Sequence, residues 1–240
     1  MFSTWWTKWR WISATVPGPS HVASGIPNQD SIKIVCFKDS VIAVVCDGLG
    51  SHSNSDIGSR SACESVVEAA SYWLRKKENV IPDLLRLIQT YWLIKLRPLD
   101  PNNCGSTCLF AIARGSGKLI VCRLGDGMII VDDAVNPPLV IQEDKKGFAN
   151  QTTALAEKGI LGKWEWKEFE LQSKSSIICL MTDGISEDIE PDSYGEIPKM
   201  FRNWFKLRKS QATRILLNEL NNWTTPHHQD DKSIVALMRR

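Results

Sequence analysis

Five segments of this 240-residue chain place an aspartate where an apolar run begins or ends. Val41 to Cys46 runs into Asp47-Gly48, Ser176 to Thr182 into Asp183-Gly184, and Val121 to Leu124 into Gly125-Asp126-Gly127. Asp30 stands just before the run that begins at Ile32, and Asp230 and Asp231 precede the last one. Any one of these is what a turn asks for, because Asp favours turns and Asp-Gly is a common hairpin pair. Gathered on one rim they would form an oxygen shell for a hard cation such as Mg²⁺ or Mn²⁺, and carboxylates from separate strands can hold two such ions about 4 Å apart. Gly48 suits the same chemistry, since a glycine lets the backbone approach closely enough for its carbonyl to serve as a ligand.

Bringing those acids together requires strands that end side by side. Short β-rich runs lie at Ile32 to Phe37, Val41 to Cys46, Thr107 to Ala113, Lys118 to Leu124, Met128 to Val131, Glu165 to Leu171, Ser176 to Thr182 and Ser233 to Met238, bounded by Gly, Asp, Asn or Pro. Between the second and third runs come two helical patterns, with Ala62, Val66, Ala69, Ala70 and Trp73 on one face and Ile81, Leu84, Leu85, Ile88, Trp92 and Leu96 on the other. A further helical pair is expected over Glu196 to Leu207 and Gln211 to Trp223. Strands, helices, strands, helices and a final strand is not regular βαβ alternation, and it favours an α+β fold with antiparallel sheets. No repeat, Gly/Ser linker or low-complexity block interrupts the chain, so residues 1–240 read as a single domain.

Composition narrows the function classes. A hydrophobic share of 43% supports a sizeable core, and a net charge of +2 from 29 basic and 27 acidic residues leaves no global footprint for nucleic acid. No apolar run approaches the roughly 18 residues of a membrane span, and the amino terminus lacks a signal-peptide stretch, so a cytoplasmic protein without membrane contact is expected. The seven cysteines, mostly within apolar runs, read as reduced core residues. Of the ten tryptophans, Trp73, Trp92 and Trp204 are expected in the core, the alternation of Trp9 and Trp11 suits a strand, and Trp5 and Trp6 would cover an edge or meet a partner.

Rival chemistries fail on local structure. Cys108 and Arg114 have the spacing of a thiol phosphatase loop, but the five apolar residues between them would bury in a sheet the N–H groups that such a loop aims at phosphate. Gly115-Ser116-Gly117-Lys118 lacks both the earlier glycine and the following Ser/Thr of a P-loop. Cys104 and Cys108 have no second ligand pair for zinc, and His227 and His228 read as surface loop residues.

The motifs in order are Pro27-Asn28-Gln29-Asp30-Ser31, Cys46-Asp47-Gly48-Leu49-Gly50-Ser51-His52, Cys104-Gly105-Ser106-Thr107, Leu124-Gly125-Asp126-Gly127, Thr182-Asp183-Gly184-Ile185-Ser186-Glu187-Asp188 and Asp230-Asp231-Lys232-Ser233. Each is weak alone. In this order, over roughly residues 20 to 238, they resemble the metal-dependent protein phosphatases of type 2C, in a bacterial branch similar also at Ser20-His21 and Gly147 to Thr152. The resemblance implies a four-layer sandwich of two antiparallel β-sheets flanked by helices, with a two-ion Mn²⁺ or Mg²⁺ centre at one edge. Asp47 would bridge both ions, Gly48 would add its carbonyl, Asp183 and Asp230 would hold the first ion, Asp30 would serve the second, and Asp126 with Asp183 would take a third. Asp47 and Asp183 are the implied catalytic pair.

Two positions depart from the family pattern. Gly25 stands where members commonly carry a phosphate-gripping arginine, which makes His21 the replacement to test, and Leu49 stands where some carry a histidine proposed as general acid. The implied activity is hydrolysis of phosphoserine and phosphothreonine on a phosphorylated protein by a monomer that opposes a Ser/Thr kinase. The alternative is a catalytically silent module that binds a phosphoprotein. Retention of Asp30, Asp47, Asp126, Asp183 and Asp230 argues for the enzyme.

Overall fold

The run Ser40–Cys46 is apolar at every position but its first because both of its faces are covered. Val41, Ala43 and Val45 point into one core while Ile42, Val44 and Cys46 point into another. That two-sided burial places a sheet in the interior, and a computed structural model of the chain, describing residues 8–76, 79–143, 152–223 and 229–240, shows two of them.

The first five-stranded sheet has the order β1 (Trp9–Val16), β10 (Lys232–Arg239), β9 (Ile177–Met181), β6 (Met128–Asp132), β7 (Leu139–Gln142). The second has the order β2 (Ser31–Phe37), β3 (Ser40–Cys46), β4 (Cys108–Arg114), β5 (Lys118–Leu124), β8 (Glu165–Glu170). Every pairing is antiparallel. Trp9, Val45, Leu109, Val121, Ile129, Leu180 and Val235 fill the space between the sheets. Helices α2 (Ser55–Trp73) and α3 (Ile81–Lys95) cover the outer face of the second sheet, and α5 (Glu196–Trp204) and α6 (Lys209–Asn221) cover the first. Two short helices, α1 (Pro19–Ser24) and α4 (Asp183–Ser186), complete the set among the described residues.

The expected α+β sandwich of two antiparallel sheets flanked by helices is therefore present, the alternation of Trp9 and Trp11 belongs to strand β1, and strand β7 and the short helices α1 and α4 are added. Trp73 and Trp92 are core residues whose indole N–H groups donate to Val80 and Gly58 carbonyls, both at 2.9 Å. Trp204, expected in the core, is only half-buried and borders a surface cleft. Six of the seven cysteines are buried and Cys36 half-buried, all as free thiols. Trp5, Trp6, His227 and His228 lie outside the described residues.

Candidate metal centre

Antiparallel pairing puts the start of one strand beside the end of the next, and this brings the acids together. Ser31 pairs with Cys46, so Asp30 and Asp47 are neighbours at one end of the second sheet; Ile234 pairs with Met181, so Asp230 and Asp183 are neighbours at the same end of the first. The Gly125-Asp126-Gly127 turn carries the chain from β5 across to β6 in the other sheet. Both glycines have positive φ, +78° and +97°, and a Cβ there would meet the Thr153 carbonyl at 2.4 Å or the Met181 carbonyl at 2.7 Å.

Asp30 is buried, and its backbone N–H donates to Asn28 Oδ1 at 2.9 Å. The Thr182 hydroxyl donates to Asp30 Oδ2 at 2.9 Å while accepting from the Ser233 N–H at 3.0 Å. Asp30 Oδ1 has no hydrogen-bond donor, and the Asp47 carboxyl lies beside the Asp30 side chain. Burial pushes the Asp30 carboxyl up to about 8 against the pull of the Ser233 and Thr182 hydroxyls, with Asp231 and Asp183 adding to the rise. Asp47 is pushed well above the carboxylate range by burial and then by the charges of Asp30, Asp183 and Asp230. Asp183 is pushed up to about 7, by burial first and then by Asp230, although the Gly184 N–H bonds to it.

A cluster of buried acids that raise one another's affinity for protons is one that a bound cation would stabilise. The donorless Asp30 oxygen and the all-oxygen set fit Mg²⁺ or Mn²⁺. Gly48 is buried, its N–H donates to the Gln29 carbonyl at 3.1 Å, and a Cβ would lie 2.5 Å from the Ser55 carbonyl, so no other residue passes there. Asp126 accepts a short hydrogen bond from the Thr152 hydroxyl and lies close enough to Asp183 to raise its affinity for protons.

Several contributors escaped the sequence reading. Asp231, 2% exposed, accepts from Gly18 N–H at 2.7 Å and Gln29 N–H at 2.6 Å and bonds the His21 ring at 2.9 Å. One carboxylate thereby ties the approach to α1, the Asn28-Gln29-Asp30 segment and the start of β10 together. Thr182 and Lys232 are further parts: the buried Lys232 ammonium donates to the Asp230 carbonyl at 3.0 Å, pushed down by burial and pulled up by Asp188, Asp230 and Asp231. Only Asp231 had a signal in the sequence, its place beside Asp230.

His21 lies at the rim, but its Nδ1 is occupied by Asp231, which leaves Nε2 for any ligand. His52 accepts the Gly105 N–H through Nδ1 at 2.9 Å, a bond that braces two loops. The family resemblance implies an exposed flap beside the site over Phe148 to Lys158, of which residues 148–151 lie outside the described part. The rest is anchored: Ala154 and Leu155 are buried, and the Leu155 N–H donates to the Ser106 carbonyl. Apolar residues at 154 and 155 account for the difference.

This sandwich and its acidic rim are those of a protein phosphatase: a family model for protein phosphatase 2C matches residues 17–223, and the chain belongs to that family. It is similar to serine/threonine-protein phosphatase 3 of Escherichia coli (strain K12), 26% identical over 193 residues that cover 74% of each chain. The fold is that of RsbX solved with magnesium (TM-score 0.63, 17% identity, 97% of this chain and 96% of that one). It is equally that of the catalytic domain of the serine/threonine phosphatase PstP solved with manganese (TM-score 0.62, 14% identity, 96% and 97%). The chain is a protein-serine/threonine phosphatase by family, and no helix among its described residues is long and apolar enough to cross a membrane.

Proposed function

We propose that this chain hydrolyses phosphoserine and phosphothreonine in a phosphorylated protein, with Mn²⁺ or Mg²⁺ held by Asp30, Asp47, the Gly48 carbonyl, Asp183 and Asp230, and with Asp126 and Asp183 offering a place for a further ion. The observation that carries this reading is the set of mutually repelling carboxylates drawn from both sheets, one of them with a donorless buried oxygen. Bound divalent ions would lower the pKa of a shared water for in-line attack on phosphorus and neutralise the phosphoryl oxygens, without a covalent phosphoenzyme.

The chain's own groups set the geometry. Thr182, fixed by the Ser233 N–H, holds Asp30 in one orientation, and Asp231 holds the Gln29 backbone beside it. His21, whose Nδ1–H donates to Asp231, would as an imidazolium offer Nε2–H to phosphate, a contact that Gly25, an open left-handed cap at φ +67°, cannot make. The buried thiols are spectators, since burial pushes those of Cys46 and Cys122 well above the ordinary range. The reading extends to a monomeric cytoplasmic enzyme that opposes a Ser/Thr kinase.

The test is turnover of p-nitrophenyl phosphate and of a phosphothreonine peptide by the purified protein. EDTA should abolish both and Mn²⁺ restore both, and full activity in chelator would overturn the metal assignment. Binding of phosphopeptide without turnover in Mn²⁺ would instead make the chain a silent binding module. His21→Ala should raise KM for the peptide more than it lowers kcat; unchanged kinetics would return His21 to a bracing role.

A further inference from the structure

The end of β1 farthest from the acids forms a second polar site of opposite sign. Val16 pairs with Lys232 at the acidic rim and Trp9 with Arg239 at the other pole, a separation of roughly 23 Å along the strand. There, between the first residues of β1 and the connection from α5 to α6, lies a cleft of about 210 Å³. Arg10, Lys209 and Arg240 line it together with Trp9, Trp11 and Phe205, and no acidic residue does.

These cations have found neutral company. The Arg10 guanidinium donates to the Phe205 and Leu207 carbonyls at the C-terminal end of α5 and stands 5.6 Å from the Phe205 ring centroid, with no carboxylate among these contacts. Lys209 Nζ stands 4.2 Å from the Trp11 ring centroid, and burial pushes its ammonium down. Among the described residues neither has a carboxylate partner. Lys209 also opens α6, a 13-residue helix whose N-cap, Arg208, supplies no side-chain acceptor, so the positive end of the helix dipole adds to the field. An Arg fork, a Lys point charge and flat aromatic walls together recognise a multiply charged oxyanion attached to a planar group. The volume equals the share of roughly seven waters, enough for one such group.

We propose that this cleft binds a small phosphomonoester-class anion carrying one planar ring, at a site separate from the metal rim. The anion sits among Arg10, Lys209 and Arg240, and the ring lies against Trp11 and Phe205. Occupancy ties the start of β1 to the start of α6.

The probe is phenylphosphonate, whose P–C bond is not the ester linkage that a phosphatase cleaves. It is titrated into Mg²⁺-loaded protein while the indole N–H signal of Trp11, assigned with Trp11→Phe, is followed by NMR. A saturable shift is expected, weaker with inorganic phosphate and missing with benzyl alcohol. Lys209→Ala should weaken phenylphosphonate binding about tenfold and Lys209→Arg recover most of it, with p-nitrophenyl phosphate turnover within about twofold of wild type throughout. A Trp11 signal that does not move, an equal response to benzyl alcohol, or unchanged affinity in both Lys209→Ala and Arg10→Gln would overturn the proposal.

Discussion

The acidic rim and the cationic cleft stand at opposite ends of the same strands, and each gathers charges mainly of one sign. They differ in how the charges are held. At the rim, the Thr182 hydroxyl holds Asp30, the Gly184 N–H holds Asp183 and the Asp231 N–H holds Asp230, and the acids come from loops of both sheets. In the cleft, three segments supply the cations, and aromatic faces and carbonyls support Arg10 and Lys209. A rim built this way fixes distances between charges, as a metal shell needs; a cleft built the other way fixes sign and leaves reach adjustable. The chain's net charge of +2 conceals both, because opposite fields at two poles cancel in the sum.

The comparison breaks most easily at the rim. Asp47→Asn is expected to lower phosphatase activity by about 100-fold or more, since an amide replaces a buried acid that Asp30, Asp183 and Asp230 all repel. In EDTA the same substitution should raise Tm by about 2–4 °C, because it relieves repulsion that no ion is then present to offset. Paired activity and melting measurements check both, and a fall in Tm in EDTA would refute the idea that these carboxylates strain the ion-free fold.

pH offers the next test. Asp30 and Asp183, at about 8 and about 7, hold protons in the folded state that the unfolded chain releases near pH 4. The folded state therefore binds more protons between those limits, and the stability of the ion-free protein should fall as pH rises from about 4 to about 8 and level off above that. Urea midpoints in EDTA at pH 5, 7 and 9 should decline in that order, and Mn²⁺ should flatten the series. A midpoint that rises with pH in EDTA would contradict the shifts.

Smaller effects sharpen the contrast. Asp231→Ala removes the acceptor for Gly18, Gln29 and His21 and should cost about 3 kcal/mol, with Asp231→Asn costing less, as measured by denaturant unfolding. Smallest of all, Lys209→Ala should change stability by no more than about 0.5 kcal/mol and leave catalysis alone, because nothing at the rim leans on it. A large catalytic loss there would mean that the two poles are coupled.

The rim was legible in the sequence because each acid closes or opens an apolar run, and a strand end shows in one dimension. Two-sided burial of β3 showed in its unbroken Val/Ile/Ala run. Strand β1 was harder: Trp9 and Trp11 alternate as a strand should, but Arg10 and Ser13 blur the pattern of an edge that a helix covers on one face. Strand β7 has only four residues and owes its existence to pairing with β6. The work of Asp231 was hidden because its partners lie 202 to 213 residues away, and the cleft because its walls come from residues 9–12, 204–212 and 240. Contacts closed by the last strand leave no local trace.

The bonds to Asp231 also bear on how the rim opens. The Gly18 and Gln29 amides share one carboxylate acceptor, so neither loop gains freedom alone without leaving part of that buried charge unsatisfied. Their amide protons should exchange with solvent deuterium at matching rates and with matching denaturant sensitivity, as a single opening unit. The centre then has two states, assembled or released, rather than a graded series of loosened ones.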